Sequence, residues 1–194
     1  MQKKLSLLPL PSGANCTPST NKSAPRCFRQ ASVLSAYIVD NYDLRGKQVI
    51  ELGAGTGLVG MVAAEMGAHV TVTDTAKALP LLEENMVLNF PHKKRPVARE
   101  LEWGKELHAY AGHFHDFIFG ADIIYLESTF DDLLETLHYL ANTVNASNRT
   151  KIVLSAKIRY DRVTKFVKKL QTKFTNVSNV HQDQASNVVI YECF

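Results

Sequence analysis

The chain has 194 residues, of which 45% are hydrophobic and 21% are charged, and these are the proportions of one globular domain. No apolar run approaches the roughly 18 residues of a membrane-spanning helix. Three cysteines are too few for a secreted disulfide framework, so we expect a cytoplasmic protein without a membrane partner. The net charge of +3 does not indicate nucleic-acid binding, because residues 1–30 carry five basic side chains and no acidic one, which leaves the rest slightly acidic.

Regular secondary structure is predicted to begin near residue 29. Residues 1–27 are rich in Pro, Ser, Thr and Asn and are expected to be irregular or disordered, whereas residues 28–194 are expected to form the folded domain. Apolar spacing predicts helices over 31–39, 56–66, 76–89, 129–141 and 160–173. Short apolar or β-branched runs predict strands over 48–52, 69–73, 97–102, 117–121, 151–156, 177–180 and 188–193. This alternation indicates an α/β fold with a mainly parallel sheet covered on both faces, and the last two strands indicate an antiparallel hairpin at one edge.

A glycine-rich segment, Gly53-Ala54-Gly55-Thr56-Gly57, lies between the first predicted strand and the helix that follows it. In open α/β sheets this junction borders the crevice where ligands bind. Leu58 stands where a dinucleotide-binding loop has its third glycine, which weakens a nicotinamide interpretation.

Two acidic residues accompany this loop. Glu51 precedes it and is expected to face the mouth of the crevice, and Asp74 ends the second strand, where a carboxylate can accept hydrogen bonds from both hydroxyls of a ribose. The loop has no lysine to hold phosphates, so the pattern favours a nucleoside without them, such as S-adenosylmethionine. A dinucleotide and a purely structural turn remain alternatives.

Further segments resemble a known family. Phe119–Tyr125 ends in an Asp-x-x-Tyr signature, and Leu101–Gly104 has the form Leu-x-Trp-Gly. Together with residues 51–58, 158–162 and 189–192, they make residues 28–194 similar to the methyltransferase-like family 21 lysine methyltransferases. The resemblance implies a Rossmann-like class I methyltransferase fold, with a mainly parallel seven-stranded sheet, an antiparallel C-terminal edge hairpin and helices on both faces.

The resemblance also implies a function. It points to an enzyme that transfers methyl groups from S-adenosylmethionine to a lysine of a protein substrate, and it is strongest to the member acting on 70-kDa heat-shock chaperones. We therefore expect such a chaperone as partner, a monomer and no metal site. Carried over by position, Asp122 and Tyr125 would stand at the methyl-transfer site. The cofactor would be contacted by Phe28, Gly53, Ala54, Gly55, Asp74, Trp103 and Ala121.

The chain departs from the family pattern ahead of the first predicted helix. The family has a Trp followed by Asp or Glu there, and this Trp touches the cofactor, whereas the present chain has Phe28 and Arg29. Phe28 keeps an aromatic face, but Arg29 reverses a charge. An interaction module with impaired or no catalysis is therefore one alternative, and a small-molecule methyltransferase on the same sheet is another.

Two clusters of polar residues are predicted to be surface features. The acidic cluster is expected to be a solvated helix start, favoured by the helix dipole, that could also attract a lysine-bearing segment; it comprises Glu127, Asp131, Asp132 and Glu135. The histidine cluster lacks a second pair of ligands for a metal and is expected on the surface; it comprises His108, His113 and His115.

Overall fold

The fold is seen in a computed structural model that describes residues 24–90, 95–142, 150–158 and 161–194, with side chains from Arg29 onward. Residues 1–23 of the predicted irregular segment lie outside this range, and the backbone of residues 24–27 forms the start of the first helix. Within the described ranges, no helix combines the length and the apolar character needed to cross a membrane.

Five α-helices and seven strands make up the described chain. The helices are α1 (Ala24–Asn41), α2 (Leu58–Glu65), α3 (Leu79–Asn89), α4 (Phe130–Asn142) and α5 (Arg162–Lys173). The strands are β1 (Gln48–Leu52), β2 (His69–Asp74), β3 (Val97–Glu100), β4 (Phe117–Ala121), β5 (Lys151–Lys157), β6 (Ser178–Asp183) and β7 (Val188–Cys193). Two short 3-10 helices, Leu107–Tyr110 and Glu127–Thr129, were not predicted from the sequence.

All seven strands form one sheet in the order β3-β2-β1-β4-β5-β7-β6. The first five in this order are parallel, and β7 runs antiparallel to both β5 and β6. The predicted α/β class, the mainly parallel sheet and the antiparallel terminal hairpin are thus confirmed. The strand order reverses direction between β1 and β4, which places a topological switch point beyond the carboxyl ends of these strands.

Two apolar cores pack on opposite faces of the sheet. Successive residues of a strand face opposite sides, so Val49 joins the core under α1, α2 and α3, and Ile50 joins the core under α4 and α5. Leu34 and Ile38 of α1 are fully buried, and burial of each such side chain contributes about 1.5–3 kcal/mol. The cores fix the helices against the sheet and thereby fix the loops at the carboxyl ends of β1, β2 and β4.

The predicted element bounds hold best for buried strands. β1, β4 and β7 have the predicted bounds, whereas β3 ends at Glu100 instead of residue 102. The Leu101 amide still bonds the Asp74 carbonyl at 2.9 Å, but the chain then turns away from β2. Residues 159–160, which belong to one segment of the family resemblance, lie outside the described residues.

Candidate active site

The loop after β1 has a backbone shape that requires glycine. Gly53, Gly55 and Gly57 have φ values of 58°, 56° and 80°, in the left-handed region that other L-residues rarely adopt. A Cβ at Gly53 would lie 2.8 Å from Cγ2 of Ile123. The Gly57 amide bonds the Ala54 carbonyl at 2.8 Å and closes the turn into α2. The loop therefore packs tightly on its inner side at Gly53.

The outer side of the loop is open and borders an acidic residue. No atom lies within 4 Å of the position that a Cβ at Gly55 would take. The Gly55 amide donates to Oδ2 of Asp74 at 2.8 Å, and the Thr75 amide donates to Oδ1 of the same carboxylate at 2.7 Å. A carboxylate has about four acceptor positions. The two amides and, at 3.4 Å, the Thr75 hydroxyl use three of them, and rotation of that hydroxyl frees a second position for the ribose. Open space beside an oriented carboxylate fits a nucleoside.

Trp103 lies against this loop from the β3 side. Its Cζ2 is 3.4 Å from the position that a Cβ at Gly53 would take. Its ring is partly buried and packs against the core beneath α4. The Gly104 amide donates to Oγ1 of Thr136 in α4 at 2.9 Å, which ties the turn after β3 to that helix. The structure thus brings Trp103 beside the glycine loop, where an indole face can pack on an adenine.

Asp122 follows β4 directly and has φ 58°, one of four positive values among the described residues other than glycine. Its amide donates to the Ser155 carbonyl of β5 at 3.0 Å, and its Oδ1 accepts Nε2 of Gln30 at 2.8 Å. Ile123, the next residue, packs beneath Gly53. Asp122 is therefore held next to the glycine loop, and the preceding Ala121 is partly buried at the same strand end.

Tyr125 lies at the outer edge of this region. Its side chain is 49% exposed, and its carbonyl accepts a hydrogen bond from the Arg162 guanidinium at 3.2 Å. The link to Arg162 joins the segment after β4 to the first turn of α5. The side chain of Phe28, also predicted at the cofactor, is outside the described residues.

Glu51 does not face the mouth of the crevice, contrary to the prediction. It is 2% exposed, and its Oε2 accepts the Gly60 amide of α2 at 2.7 Å. Burial raises the pKa of its carboxyl to about 8, the Gly60 amide acts in the opposite direction, and the charge of Asp74 adds to the rise. Glu51 therefore joins β1 to α2 beneath the loop.

The acidic cluster is partly neutralised by lysines of α5. Lys165 bonds Glu127 at 2.9 Å, and Lys169 bonds Asp131 at 2.5 Å. All four members of the cluster are exposed, and Asp131 and Asp132 lie in the first turn of α4, which confirms the predicted solvated helix start.

The histidine cluster was predicted on the surface, and this holds for two of its members. His108 and His113 are exposed, but His115 is 7% exposed just before β4, where burial lowers the pKa of its imidazole to about 4. The surface prediction is thus wrong for His115, because this residue joins the packed amino end of the sheet. In the ranges that the structure describes, no group of three or more His, Cys, Asp or Glu side chains could hold a metal.

Sequence reasoning missed Gln30 and Ser155, which contact Asp122 and each other. The signal for Gln30 was present, since it stands one helical turn before Leu34 and two before Ile38, on the buried stripe of α1. A polar residue on such a stripe indicates a buried partner. Ser155 lies within a buried strand and carried no comparable signal.

Comparisons with known proteins agree with this geometry. A family model described as lysine methyltransferase matches residues 19–173. Mouse protein N-lysine methyltransferase METTL21A is 47% identical over 165 residues, which cover 84% of this chain and 73% of that protein. Mouse EEF1A lysine methyltransferase 3 is 40% identical over 152 residues, which cover 78% of this chain and 63% of that protein.

Solved structures share the fold at low sequence identity. A ribosomal protein L11 methylase from Lactobacillus delbrueckii subsp. bulgaricus superimposes with a TM-score of 0.62 at 19% identity, covering 85% of this chain and 78% of that one. Magnesium protoporphyrin IX methyltransferase from Synechocystis, solved with bound S-adenosylmethionine (SAM), superimposes with a TM-score of 0.58 at 15% identity, covering 85% and 77%. This likeness confirms the class I methyltransferase fold. By the family match and the relatives' identity, the chain belongs to the lysine methyltransferase family and is a SAM-dependent protein-lysine N-methyltransferase.

Proposed function

We propose that this chain methylates a lysine on a 70-kDa heat-shock chaperone, with SAM held along the Asp74 side of the crevice and the lysine oriented by Asp122. The observation that carries this proposal is the meeting of three loops at the carboxyl ends of β1, β2 and β4. The glycine loop bonds Asp74 at 2.8 Å on one side and contacts Ile123, the neighbour of Asp122, on the other. One crevice can therefore hold both reactants.

The residues on the cofactor side have distinct tasks. Asp74 would accept the ribose hydroxyls, Trp103 would pack on the adenine, and the backbone of Gly53 to Gly55 would contact the methionine part. When bound, SAM would supply an electrophilic methyl group on a sulfonium, and its transfer to the lysine nitrogen would break the carbon–sulfur bond and leave a neutral thioether. Ala121 and the glycine loop line the space where this group must lie.

The residues on the lysine side must present a neutral amine. A free lysine has a pKa of about 10.4, so it arrives protonated and loses one proton to water before its lone pair can attack. Asp122 accepts a hydrogen bond from this nitrogen and aligns it. Tyr125, half exposed at the rim, presents its ring or hydroxyl to the ammonium, and a cation over an aromatic face gains about 0.5–2 kcal/mol. Alignment of two reactants alone can supply several kcal/mol of barrier reduction.

The chaperone is favoured by the motif resemblance, and the relatives suggest a second substrate for comparison. The METTL21A relatives from mouse, zebrafish and frog are 47%, 46% and 43% identical, whereas the mouse protein named for EEF1A is 40% identical. EEF1A is therefore the competing substrate. The proposal also includes a monomer acting in the cytoplasm.

The test is transfer of tritium from methyl-labelled SAM to purified substrates. We expect label on a lysine of the 70-kDa chaperone, located by peptide mapping, and none on EEF1A. Asp122→Ala should abolish the label while SAM affinity, measured by calorimetry, stays within several-fold. Label on EEF1A alone would contradict the chaperone assignment, and normal turnover of Asp122→Ala would remove Asp122 from its role.

The inactive-module alternative rests on Phe28 and Arg29, which replace the family's Trp and acidic residue. Calorimetric titration of the purified protein with SAM separates the two interpretations. The proposed enzyme releases heat that saturates with one SAM per chain. An absence of heat at millimolar SAM would favour the interaction module.

A further inference from the structure

Gln30 is a polar residue in an apolar position. Gln30, Leu34 and Ile38 lie on one stripe of α1 and are 1%, 0% and 0% exposed. An apolar side chain at residue 30 would continue this stripe, and burial of an amide costs free energy unless both of its ends are hydrogen-bonded. The position therefore requires an explanation other than packing.

Gln30 joins α1 to Asp122 and to β5. Its Nε2 donates to Oδ1 of Asp122 at 2.8 Å, and its backbone carbonyl accepts Oγ of Ser155 at 3.1 Å. The Ser155 carbonyl in turn accepts the Asp122 amide at 3.0 Å. The backbone of Asp122 is thus held by β5, and its carboxylate is held by α1.

The hydrogen bonding of Gln30 is incomplete. Among the described residues, its Oε1 is buried and has no hydrogen-bond partner. A buried acceptor without a partner costs about 1–3 kcal/mol, which opposes the gain from the bond to Asp122. Stability alone thus gives little reason for a glutamine here, whereas orientation of the Asp122 carboxylate gives a direct one.

We propose that Gln30 is a positioning residue for methyl transfer, which fixes the direction of the Asp122 carboxylate so that it aligns the substrate amine. This inference rests on the proposed role of Asp122. The Asp122 backbone is in the left-handed region, and the side-chain amide of Gln30 bonds its carboxylate directly. A misplacement of about 1 Å at such a group can cost roughly 100-fold in rate.

The matched variants are Gln30→Met, which keeps length and removes the donor, and Ser35→Ala. Ser35 is also a buried polar residue of α1, and its Oγ has no hydrogen-bond partner among the described residues. With tritiated SAM and the 70-kDa chaperone, Gln30→Met should lower kcat about 10- to 100-fold with KM and SAM affinity within about twofold. Ser35→Ala should leave kcat unchanged.

Two further readouts separate positioning from a structural role. In the Asp122→Asn background, Gln30→Met should have no additional effect on single-turnover rate, because it acts through Asp122. In the protein without substrate, the ¹³C resonance of the Asp122 carboxyl should move in Gln30→Met and stay in place in Ser35→Ala. Should Gln30→Met fail to fold, Gln30→Leu is measured in the same way.

The outcomes distinguish this inference from the proposed function. If Asp122→Ala stops methyl transfer while Gln30→Met keeps full kcat and an unmoved Asp122 resonance, the role of Gln30 is contradicted and that of Asp122 survives. If Asp122→Ala keeps full turnover, the proposed role of Asp122 fails, and the role of Gln30 fails with it.

Discussion

Oδ2 of Asp74 accepts the backbone amide of Gly55 at 2.8 Å, so the acid at the end of β2 and the glycine loop after β1 are joined directly. The Thr75 amide orients the other carboxylate oxygen at 2.7 Å. Because these bonds form within the protein itself, the carboxylate is oriented before a ligand arrives. Pre-orientation of this kind lowers the entropic cost of binding.

Replacement of Asp74 tests its proposed task. Asp74→Ala should weaken SAM binding by at least about 100-fold, because hydrogen bonds to a charged group contribute about 1.5–3 kcal/mol each, two are lost, and every 1.4 kcal/mol is tenfold in affinity. Isothermal titration calorimetry gives the affinity. The control is Asp116→Ala, directly before β4, since Asp116 also accepts a backbone amide, that of Gln48 at 2.8 Å. An Asp74→Ala protein with unchanged SAM affinity would overturn the ribose assignment.

A comparison of Gly55 with Gly46 distinguishes a glycine that borders the ligand from one that is needed only for its backbone conformation. Both have positive φ values, 56° and 71°, and neither has an atom within 4 Å of its Cβ position. Gly55→Ala and Gly46→Ala should each lower the free energy of unfolding by roughly 1–2 kcal/mol, the cost of a Cβ in the left-handed region. Only Gly55→Ala should reduce SAM affinity, by tenfold or more, since its methyl group enters the crevice. The stability of both variants is checked by chemical denaturation. If the two variants then bind SAM with equal affinity, the ligand lies elsewhere.

Glu51 makes stability depend on pH in a defined direction. Burial raises the pKa of its carboxyl from 4.5 to about 8 in the folded protein, so between these values the folded state keeps a proton that the unfolded state has lost. Its contribution to stability is complete below pH 4.5 and is lost as the pH rises toward 8, with a slope of at most about 1.4 kcal/mol per pH unit.

The isosteric variant Glu51→Gln removes this titration. The free energy of unfolding of Glu51→Gln minus that of the wild type should therefore increase from pH 5 to pH 8, measured by urea denaturation without ligand. All other groups titrate in both proteins, so the difference isolates Glu51. A difference that is constant over this range would show that Glu51 titrates normally.

Glu192 of β7 links this strand to α1 and β5. It accepts hydrogen bonds from the Tyr37 hydroxyl at 2.9 Å and from the Tyr42 hydroxyl, and it pairs with Lys151 at 3.1 Å. Glu192→Ala should lower the free energy of unfolding by about 3 kcal/mol, because it leaves Lys151 partly buried without its partner.

The control for Glu192 is an exposed ion pair. Nζ of Lys105 lies 2.6 Å from Oε1 of Glu102, and the two side chains are 65% and 53% exposed. Exposed pairs of this kind contribute at most about 1 kcal/mol to the free energy of unfolding. Glu102→Ala should thus have a small effect in the same denaturation experiment. Similar losses for both variants would contradict a stabilising role of the Glu192 network.

The sequence predicted the order of elements well because buried parallel strands are largely apolar runs, as in β4. Because such strands are buried on both faces, their sequence does not show toward which face a residue points. The pattern therefore did not show that Glu51 lies beneath α2. His115 was misassigned for a similar reason, since its burial depends on packing around the amino end of β4. The motifs identified Asp74, Trp103 and Asp122. These residues lie around the glycine loop because of the order of the strands that precede them.

The sequence pattern could not predict contacts between segments that lie far apart along the chain. Gln30 and Asp122 are 92 residues apart, and their bond depends on how α1 crosses the sheet. No local spacing encodes that crossing, which is set by packing of Leu34 and Ile38 on the core. The polar residue on the α1 stripe was the one available signal.

The decisive measurement for this crevice is a crystal structure of the protein with bound S-adenosylhomocysteine. We expect ribose hydroxyls within hydrogen-bond distance of the Asp74 carboxylate, the adenine beside Trp103, and the sulfur directed toward Asp122. An S-adenosylhomocysteine bound elsewhere, or bound here with its sulfur directed away from Asp122, would contradict this arrangement.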